Sequence, residues 1–316
     1  METVKKISSW ISKWFVVLVI LWAAVNYFAP QISVWFKPDV NYLLGLILFG
    51  MGLTLTKDDF LRIGKHPVPV ILGTVAHYVI MPLIAYLLTL IFHLQGGAAL
   101  GVILVGSCPS GTSSGVMAFL SKGDVALDVS IETLSTLLAP IMLPLLLLFY
   151  GHRTGIHVPT SDLFIKILEF VVVPIILGVV LHTLFPKIVE KIVPVMPLVS
   201  QIAILLIIGV VIAASHAILF AATTLIIIPV VMIHNLAGYS LGYGFAKLIK
   251  LEKPQRKAIT FEVGMQDSSL GSTLALLFFA ATPIAALPSA IFSVWHNISG
   301  SVLSSYWRRQ ADKEEK

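Results

Sequence analysis

Four carboxylic acids lie within apolar stretches of the chain, where a charge is costly. Asp128 and Glu132 are four residues apart and Thr136 follows four further on, so a helix would place all three on one face. Glu262 and Asp267 lie in a second apolar stretch. An acid at the centre of a membrane helix costs about 2.5–3.5 kcal/mol, so we expect these side chains to face the protein interior.

Lys and Arg occur only at the ends of the two stretches that contain these acids. The acids are therefore either protonated or neutralised by an ion that arrives from solution. Both alternatives indicate that the protein is coupled to a cation. A hydrogen-bonded network of neutral acids with a purely structural role is the simpler alternative.

Polar residues interrupt two of the apolar stretches, at SCPSGTSSGVM (107–117) and at EVGMQDSSLGS (262–272). Pro109 lacks a backbone donor, and Gly111 and Gly115 permit backbone angles that other residues resist, so a helix break is expected. Two half-helices that meet at a break present free N–H groups at one terminus and free carbonyl groups at the other. Such a pair can hold an anion and a cation; a simple packed kink is the alternative.

The composition defines the class of protein around these segments. The chain has 316 residues, of which 57% are hydrophobic and 12% are charged, whereas soluble domains carry about 25% charged residues. We therefore predict an all-α polytopic membrane protein. The net charge of +5 is confined to loops, which excludes a nucleic-acid-binding face, and the single cysteine, Cys108, excludes an internal disulfide.

Apolar runs bounded by Pro, Gly or charge predict ten transmembrane helices, and the first is expected to be retained rather than cleaved as a signal peptide. With both termini in the cytoplasm, all Lys and Arg residues except Lys37, Arg153 and Lys166 lie on the inner side. The polar connector 151–162 divides the chain into an inverted repeat of five plus five helices, 1–150 and 151–316. The predicted spans are 14–31, 39–56, 67–93, 97–121, 124–150, 160–185, 194–214, 217–247, 255–281 and 283–307.

Several motifs resemble those of the bile acid:sodium symporter family, and the resemblance is to a bacterial member. They are GMGLTLT (50–56), Met81-Pro82, CPSGTSSGVMAFLSKGDVAL (108–127), STLLAP (135–140) and EVGMQDS (262–268). The resemblance implies a panel domain of spans 1, 2, 6 and 7, and a core domain of spans 3–5 and 8–10. Broken spans 4 and 9 would cross at the substrate site. It also implies sodium-coupled uptake of an organic anion across the cell membrane, with pantoate-like or keto-acid-like carboxylates favoured over bile acids.

The same resemblance implies two sodium sites. The first would use Ser114, Gly115, Asp128, Glu132 and Glu262, and the second His77, Glu262, Val263, Met265 and Gln266. In a transporter of this kind we expect Gly111, Thr112 and Ser113 to hold the carboxylate of the substrate, with Asp267, His296 and Asn297 on the opposite side. No cofactor is expected other than the coupling ion.

Five of these positions depart from the family pattern. Gly115 stands where the family has asparagine, His77 where it has glutamine, and Asp267 where asparagine is usual. Asp128 and Glu132 replace small hydroxyl or neutral residues. Because histidine is a poor ligand for the hard sodium ion and can itself carry a proton, we hypothesise that a proton replaces one sodium, or that protons replace sodium altogether.

Two other functions are alternatives to transport. Residues 111–115 match the G-x-S-x-G pattern of hydrolases, but that motif requires a strand before the serine, and here a membrane span precedes it. The protein is therefore not expected to be an enzyme. A passive channel is the other alternative, and it differs from a symporter because it cannot concentrate a solute.

Overall fold

The computed structural model describes residues 2–56, 59, 61, 63, 64 and 67–314. This part of the chain is built from helices and short helical turns, without a β-strand. The prediction of an all-α protein is therefore confirmed. Along the long helices, exposed apolar residues alternate with buried residues, as expected for helices that face lipid on one side.

The helices up to residue 151 are α1 (Glu2–Phe28), α2 (Val40–Thr54), α3 (Pro67–Ile91), α4 (Gly96–Ser107), α5 (Ser114–Leu120) and α6 (Val125–Gly151). Those that follow are α7 (Thr160–Leu184), α8 (Pro186–Ile192), α9 (Met196–Ser215), α10 (Ile227–Leu248), α11 (Lys253–Gly264), α12 (Ser268–Phe278) and α13 (Leu287–Glu314).

Length and apolar composition identify four helical stretches in the described chain as long enough to cross a membrane: Pro67–Ile91, Val125–Thr154, Thr160–Leu184 and Pro186–Ile218. Three further apolar helices are shorter: Trp14–Phe28, Gly96–Ser107 and Ser268–Phe278. Two of these three are short because the polar interruptions divide predicted spans 97–121 and 255–281. The predicted span 160–185 agrees with α7 to within one residue.

The predicted span 217–247 differs from the structure at its beginning. Helix α10 starts only at Ile227, after a turn at His216–Ile218 and a short helical turn at Ala222–Leu225. The Thr224 hydroxyl donates to the carbonyl of Ile218 at 2.7 Å, so a local side-chain hydrogen bond competes with a continuous helix. Apolar composition alone does not reveal such a turn.

The contacts between helices define two sets, and the larger hydrophobic cluster joins the two, since it contains Leu44 of α2 and Ile175 of α7 together with Leu143 of α6. Helix α2 lies against α7 and α9, and α1 lies against α9. Helix α3 contacts α4, α6, α10 and α11, while α10 contacts α11 and α13. Helices α2 and α7 approach each other closely in the first set, where a Cβ atom on Gly178 would lie 2.6 Å from the Phe49 carbonyl oxygen.

Both polar interruptions lie between helices, as predicted. Helix α4 ends at Ser107 and α5 begins at Ser114, while α11 ends at Gly264 and α12 begins at Ser268. The two connecting segments lie side by side: the Gly111 N–H donates to the Met265 carbonyl at 3.3 Å, and the Asp267 N–H donates to the Pro109 carbonyl at 2.8 Å. We call these connecting segments, 108–113 and 265–267, the two breaks.

Candidate ion and substrate site

Ser114 lies between two carboxylates beside the breaks. Its Oγ atom is 2.5 Å from Glu262 Oε1 and 3.1 Å from Asp128 Oδ2. The serine begins α5, Asp128 lies in the first turn of α6, and Glu262 lies in the last turn of α11; all three are fully buried. A hydroxyl has one hydrogen to donate, so the second contact requires a protonated carboxyl group or a bound cation.

Glu132 extends this group of acids by one turn of α6 and is 6% exposed. Three carboxylate oxygens of the group have no hydrogen-bond partner: Asp128 Oδ1, Glu132 Oε1 and Glu262 Oε2. A buried charged oxygen without a partner is expensive, because it loses the hydrogen bonds that water would give it. We call Ser114, Asp128, Glu132 and Glu262 the carboxylate cluster. Its unpartnered oxygens are the ligand type that a hard cation prefers.

No group of three His, Cys, Asp or Glu side chains in the described chain has the arrangement of a metal centre. Sodium differs from the metals of such centres, because it also takes hydroxyl and backbone carbonyl oxygens as ligands. The carboxylate cluster offers the Ser114 hydroxyl together with carboxylate oxygens, so its ligand set is mixed. Such a ligand set suits a transported ion rather than a resident metal.

Gly115 makes room for one of these acids. A Cβ atom on Gly115 would lie 3.3 Å from Asp128 Oδ2, so the carboxylate occupies the space beside this glycine. The resemblance predicts asparagine at this position, whereas the sequence has glycine, which has no side chain. The carboxylate of Asp128 therefore supplies an oxygen close to the position where an asparagine side chain would begin.

His77 connects the two breaks. Its Nδ1 atom is 2.8 Å from the Glu262 carbonyl oxygen, and its Nε2 atom is 2.9 Å from the Cys108 carbonyl oxygen. The ring is fully buried in α3. Both partners are acceptors, and a neutral imidazole can donate to only one of them. The two contacts are hydrogen bonds at the same time only when the ring carries both protons.

The other residues expected at the second ion site serve to hold the breaks together. The Met265 carbonyl accepts the Gly111 N–H, while the Met265 side chain packs with Tyr239 and Phe261. The Val263 side chain packs in the cluster shared by α3, α10 and α11. The Gln266 amide, oriented to satisfy its neighbours, donates to the Cys108 carbonyl at 2.8 Å and to the Val105 carbonyl at 3.1 Å.

The residues expected to hold substrate lie in different surroundings. Gly111 is buried where the two breaks meet, Thr112 is exposed and Ser113 is half-buried. Asp267 accepts hydrogen bonds from the Leu270 N–H at 3.0 Å and from the Ser269 hydroxyl at 2.5 Å. It is therefore the N-cap of α12. This capping role gives Asp267 a structural function at the second break.

His296 and Asn297 lie on α13. His296 is 3% exposed, its ring packs edge-on against Phe292, and its Nδ1 atom has no partner. Asn297 donates to the Ser293 carbonyl of its own helix at 2.7 Å. Within the described chain no hydrogen bond joins either residue to Thr112, Ser113 or Asp267.

Asn235 is a residue at the breaks that the sequence reasoning missed. Its Nδ2 atom donates to the Gly264 carbonyl, the last of α11, at 2.8 Å, and its Oδ1 atom accepts the Ser299 hydroxyl at 2.6 Å. Helix α11 leaves its final carbonyls unsatisfied where it stops, and Asn235 supplies a donor from α10. A buried amide within the apolar span 217–247 was the signal that could have identified it.

Comparison with known proteins places these features in a family. A model of the "Sodium Bile acid symporter family" matches residues 41–222. The uncharacterized sodium-dependent transporter YocS of Bacillus subtilis (strain 168) is 45% identical over 315 residues, which cover 100% of this chain and 97% of that protein. The probable sodium/metabolite cotransporter BASS2, chloroplastic, of Oryza sativa subsp. japonica is 34% identical over 307 residues, covering 97% and 73%.

The ileal sodium/bile acid cotransporter of Homo sapiens is 32% identical over 255 residues, covering 78% of this chain and 72% of that protein. The chain belongs to the sodium bile acid symporter family, a family of sodium-dependent transporters. The resemblance stated from the sequence motifs is thereby confirmed, and the identity to the Bacillus protein supports a bacterial member. The relatives are named as transporters and cotransporters, which confirms that the protein is not an enzyme.

Proposed function

We propose that the protein is a secondary active symporter that takes up a small organic anion together with sodium. The observation that carries this proposal is the carboxylate cluster. Two of its buried carboxylates contact the Ser114 hydroxyl at the start of α5, and each of its three carboxylates has one oxygen without a hydrogen-bond partner. Such a group is stable only when protons or a cation complete it, because like charges at this distance repel. A transported sodium ion supplies that charge.

The proposed substrate is a small carboxylate, pantoate-like or keto-acid-like, with a bile-acid-like anion as the second candidate. The names of the relatives support this class, since they refer to metabolites and to bile acid. Thr112 and Ser113 offer hydroxyl groups at the first break, and Thr112 is exposed. The substrate carboxylate would accept hydrogen bonds from these residues and from neighbouring amides, with His296 and Asn297 on the far side.

We further propose that a proton replaces the second sodium ion. The support comes from His77, whose two ring nitrogens both face carbonyl oxygens of the breaks. A doubly protonated ring is a cation that satisfies both carbonyls, as a sodium ion would. Coupling to protons alone is the alternative, in which the carboxylate cluster would also be protonated.

The proposed arrangement in the cell membrane has ten spans in two inverted repeats, 1–150 and 151–316, with both termini in the cytoplasm. The mutual packing of α1, α2, α7 and α9 supports the panel domain, and the contacts of α3 with α4, α6, α10 and α11 support the core domain. Of the cations assigned to the inner side, Lys57, Arg62, Lys65 and Lys316 lie outside the described residues.

Uptake of labelled pantoate into proteoliposomes tests the proposal. We expect accumulation above the external concentration when sodium is higher outside, with a slope of one sodium ion per substrate and stimulation by an inward proton gradient. A slope of two sodium ions with no response to pH would overturn the role given to His77. Equilibration without accumulation would indicate a channel, and accumulation that ignores sodium would indicate coupling to protons alone.

A further inference from the structure

A polar cavity lies at one end of the helices, apart from the carboxylate cluster. It has a volume of about 60 Å³ and lies between α10, α11 and α13. Lys253, at the start of α11, lines this cavity. It lies nine residues before Glu262 of the carboxylate cluster, which corresponds to about 14 Å along a helix. We call this polar cavity the basic cavity; its lining residues are Tyr243, Lys253, Lys257, Trp307, Gln310 and Ala311.

The charge around this cavity is strongly positive. Residues 247–257 and 307–314 contain eight Lys or Arg residues against three Asp or Glu residues. Lys253 is exposed, and Lys257 is half-buried with its Nζ atom 6.0 Å from the centre of the Trp307 ring. Cations gathered from three helix ends attract an anion, because the positive potential of each adds to the others.

Side chains, rather than the helix terminus, would provide this recognition. The N-terminal amides of α11 are largely occupied, because Glu252 and Gln255 form a capping box and Pro254 has no N–H. The ammonium groups of Lys253 and Lys257 are the charged donors on the cavity wall. Lys257 already donates to the Ser121 carbonyl at 2.7 Å and so fixes one side of the cavity.

The size of the cavity limits what can enter it. Pockets for whole small molecules usually enclose about 300–1,000 Å³, so about 60 Å³ accommodates one anionic group while the rest of the ligand stays outside. The neighbouring surface is apolar: Leu248 is 78% exposed and Tyr306 is 63% exposed near the same helix ends. Trp and Tyr are typical of the level where lipid headgroups meet acyl chains, and Tyr243 and Trp307 lie 5.9 Å apart at the cavity.

We propose that the basic cavity binds the phosphate of an anionic phospholipid, with Lys253 as its main contact and the acyl chains on the apolar surface outside. A phospholipid combines the single negative group that the cavity admits with the apolar remainder that the exposed side chains favour. The site is independent of the proposed transport function, because it shares no lining residue with the carboxylate cluster.

Native mass spectrometry of the full chain, purified in detergent and mixed with lipid, tests this site. The probes are phosphatidylglycerol, phosphatidylcholine and inorganic phosphate. We expect retention of phosphatidylglycerol but not of phosphatidylcholine, and an affinity about fivefold lower in Lys253→Gln, since one cation near a lipid surface contributes about 1 kcal/mol. Lys253→Arg should retain binding. Lys187→Gln, an exposed lysine on α8, is the matched control and should not change it.

Equal retention of the two lipids would overturn the proposal, as would equal losses in Lys253→Gln and Lys187→Gln. Displacement of phosphatidylglycerol by millimolar inorganic phosphate would reassign the cavity to a soluble phosphate. A thermal unfolding curve for each variant separates a lost contact from a lost fold, because a variant that binds less lipid at an unchanged lipid-free midpoint has lost the contact alone.

Discussion

Ser114 can donate its hydrogen to only one of the two carboxylates that it contacts. The site therefore needs a protonated carboxyl group or a bound cation for the other contact. The distances from Ser114 to Glu262 and Asp128, 2.5 Å and 3.1 Å, both require attraction. In the proposed symporter, protons on the acids would supply that attraction in the absence of an ion, and a bound sodium ion would supply it otherwise. Exchange between the two states would couple the occupancy of the cluster to both sodium and pH.

Glu262 is the residue on which both proposed ion sites depend. Its side chain contacts Ser114 and its backbone carbonyl contacts His77. We expect Glu262→Ala to reduce gradient-driven uptake in proteoliposomes to the level of protein-free vesicles, because the carboxylate cluster loses the oxygen that contacts Ser114 while the backbone carbonyl facing His77 remains. Glu169→Ala is the control: Glu169 is exposed and paired with Lys166 at 2.7 Å on α7. Sodium-driven uptake that persists in Glu262→Ala would refute the shared site.

Asn235 should stabilise the end of α11 without contacting any ion. Asn235→Ala leaves the buried Gly264 carbonyl without its donor, and an unsatisfied buried group of this kind costs about 1–3 kcal/mol. We expect a lower midpoint of thermal unfolding and weaker sodium-dependent uptake. Ser240→Ala removes an exposed hydroxyl of the same helix that bonds only to the Leu236 carbonyl. An equal loss of stability in both variants would contradict the role of Asn235.

At the scale of the helices, the two breaks depend on close backbone contact. A Cβ atom on Gly111 would lie 2.6 Å from the Gln266 carbonyl oxygen, which cannot move without separating the breaks. We therefore expect Gly111→Ala to abolish uptake and to lower the unfolding midpoint.

Gly244→Ala is the matched control for this glycine. Gly244 is exposed within α10, and no atom lies within 4 Å of a Cβ placed there. Alanine in a helix interior is more stable than glycine by about 0.5–1 kcal/mol, so this variant should be as stable as the wild type or more so. Normal uptake in Gly111→Ala would show that the breaks do not have to touch.

The sequence predicts the breaks but not the contacts between them. Pro109 and Gly111 indicate a helix break from the sequence alone, because each acts on the backbone at its own position. The His77 ring contacts the carbonyls of Cys108 and Glu262, which lie 31 and 185 residues further along the chain. The order of residues does not specify these contacts. Asp267 was expected at the substrate, although an Asp directly before a helix is also an N-cap signal. The capping interpretation is the one that its hydrogen bonds support.

At the scale of the whole molecule, the proposed topology can be tested by cysteine labelling. Cys108 is fully buried, so Cys108→Ser provides a background without a reactive thiol. In right-side-out vesicles we expect Arg153→Cys to react with a membrane-impermeant maleimide, because the connector 151–162 is assigned to the outer side. Gln310→Cys should react only after the vesicles are opened. Labelling of both from outside would contradict an even number of spans with inner termini.

The hydrogen bonds between the breaks also have a consequence for synthesis of the protein. The Pro109 carbonyl and the Gly111 N–H find partners in Asp267 and Met265, which the ribosome adds about 155 residues later, roughly 10–30 s at ordinary translation rates. Until then the first break holds unsatisfied backbone groups at membrane depth, each costing several kcal/mol. These groups of the first half therefore stay without their protein partners until the second half is inserted.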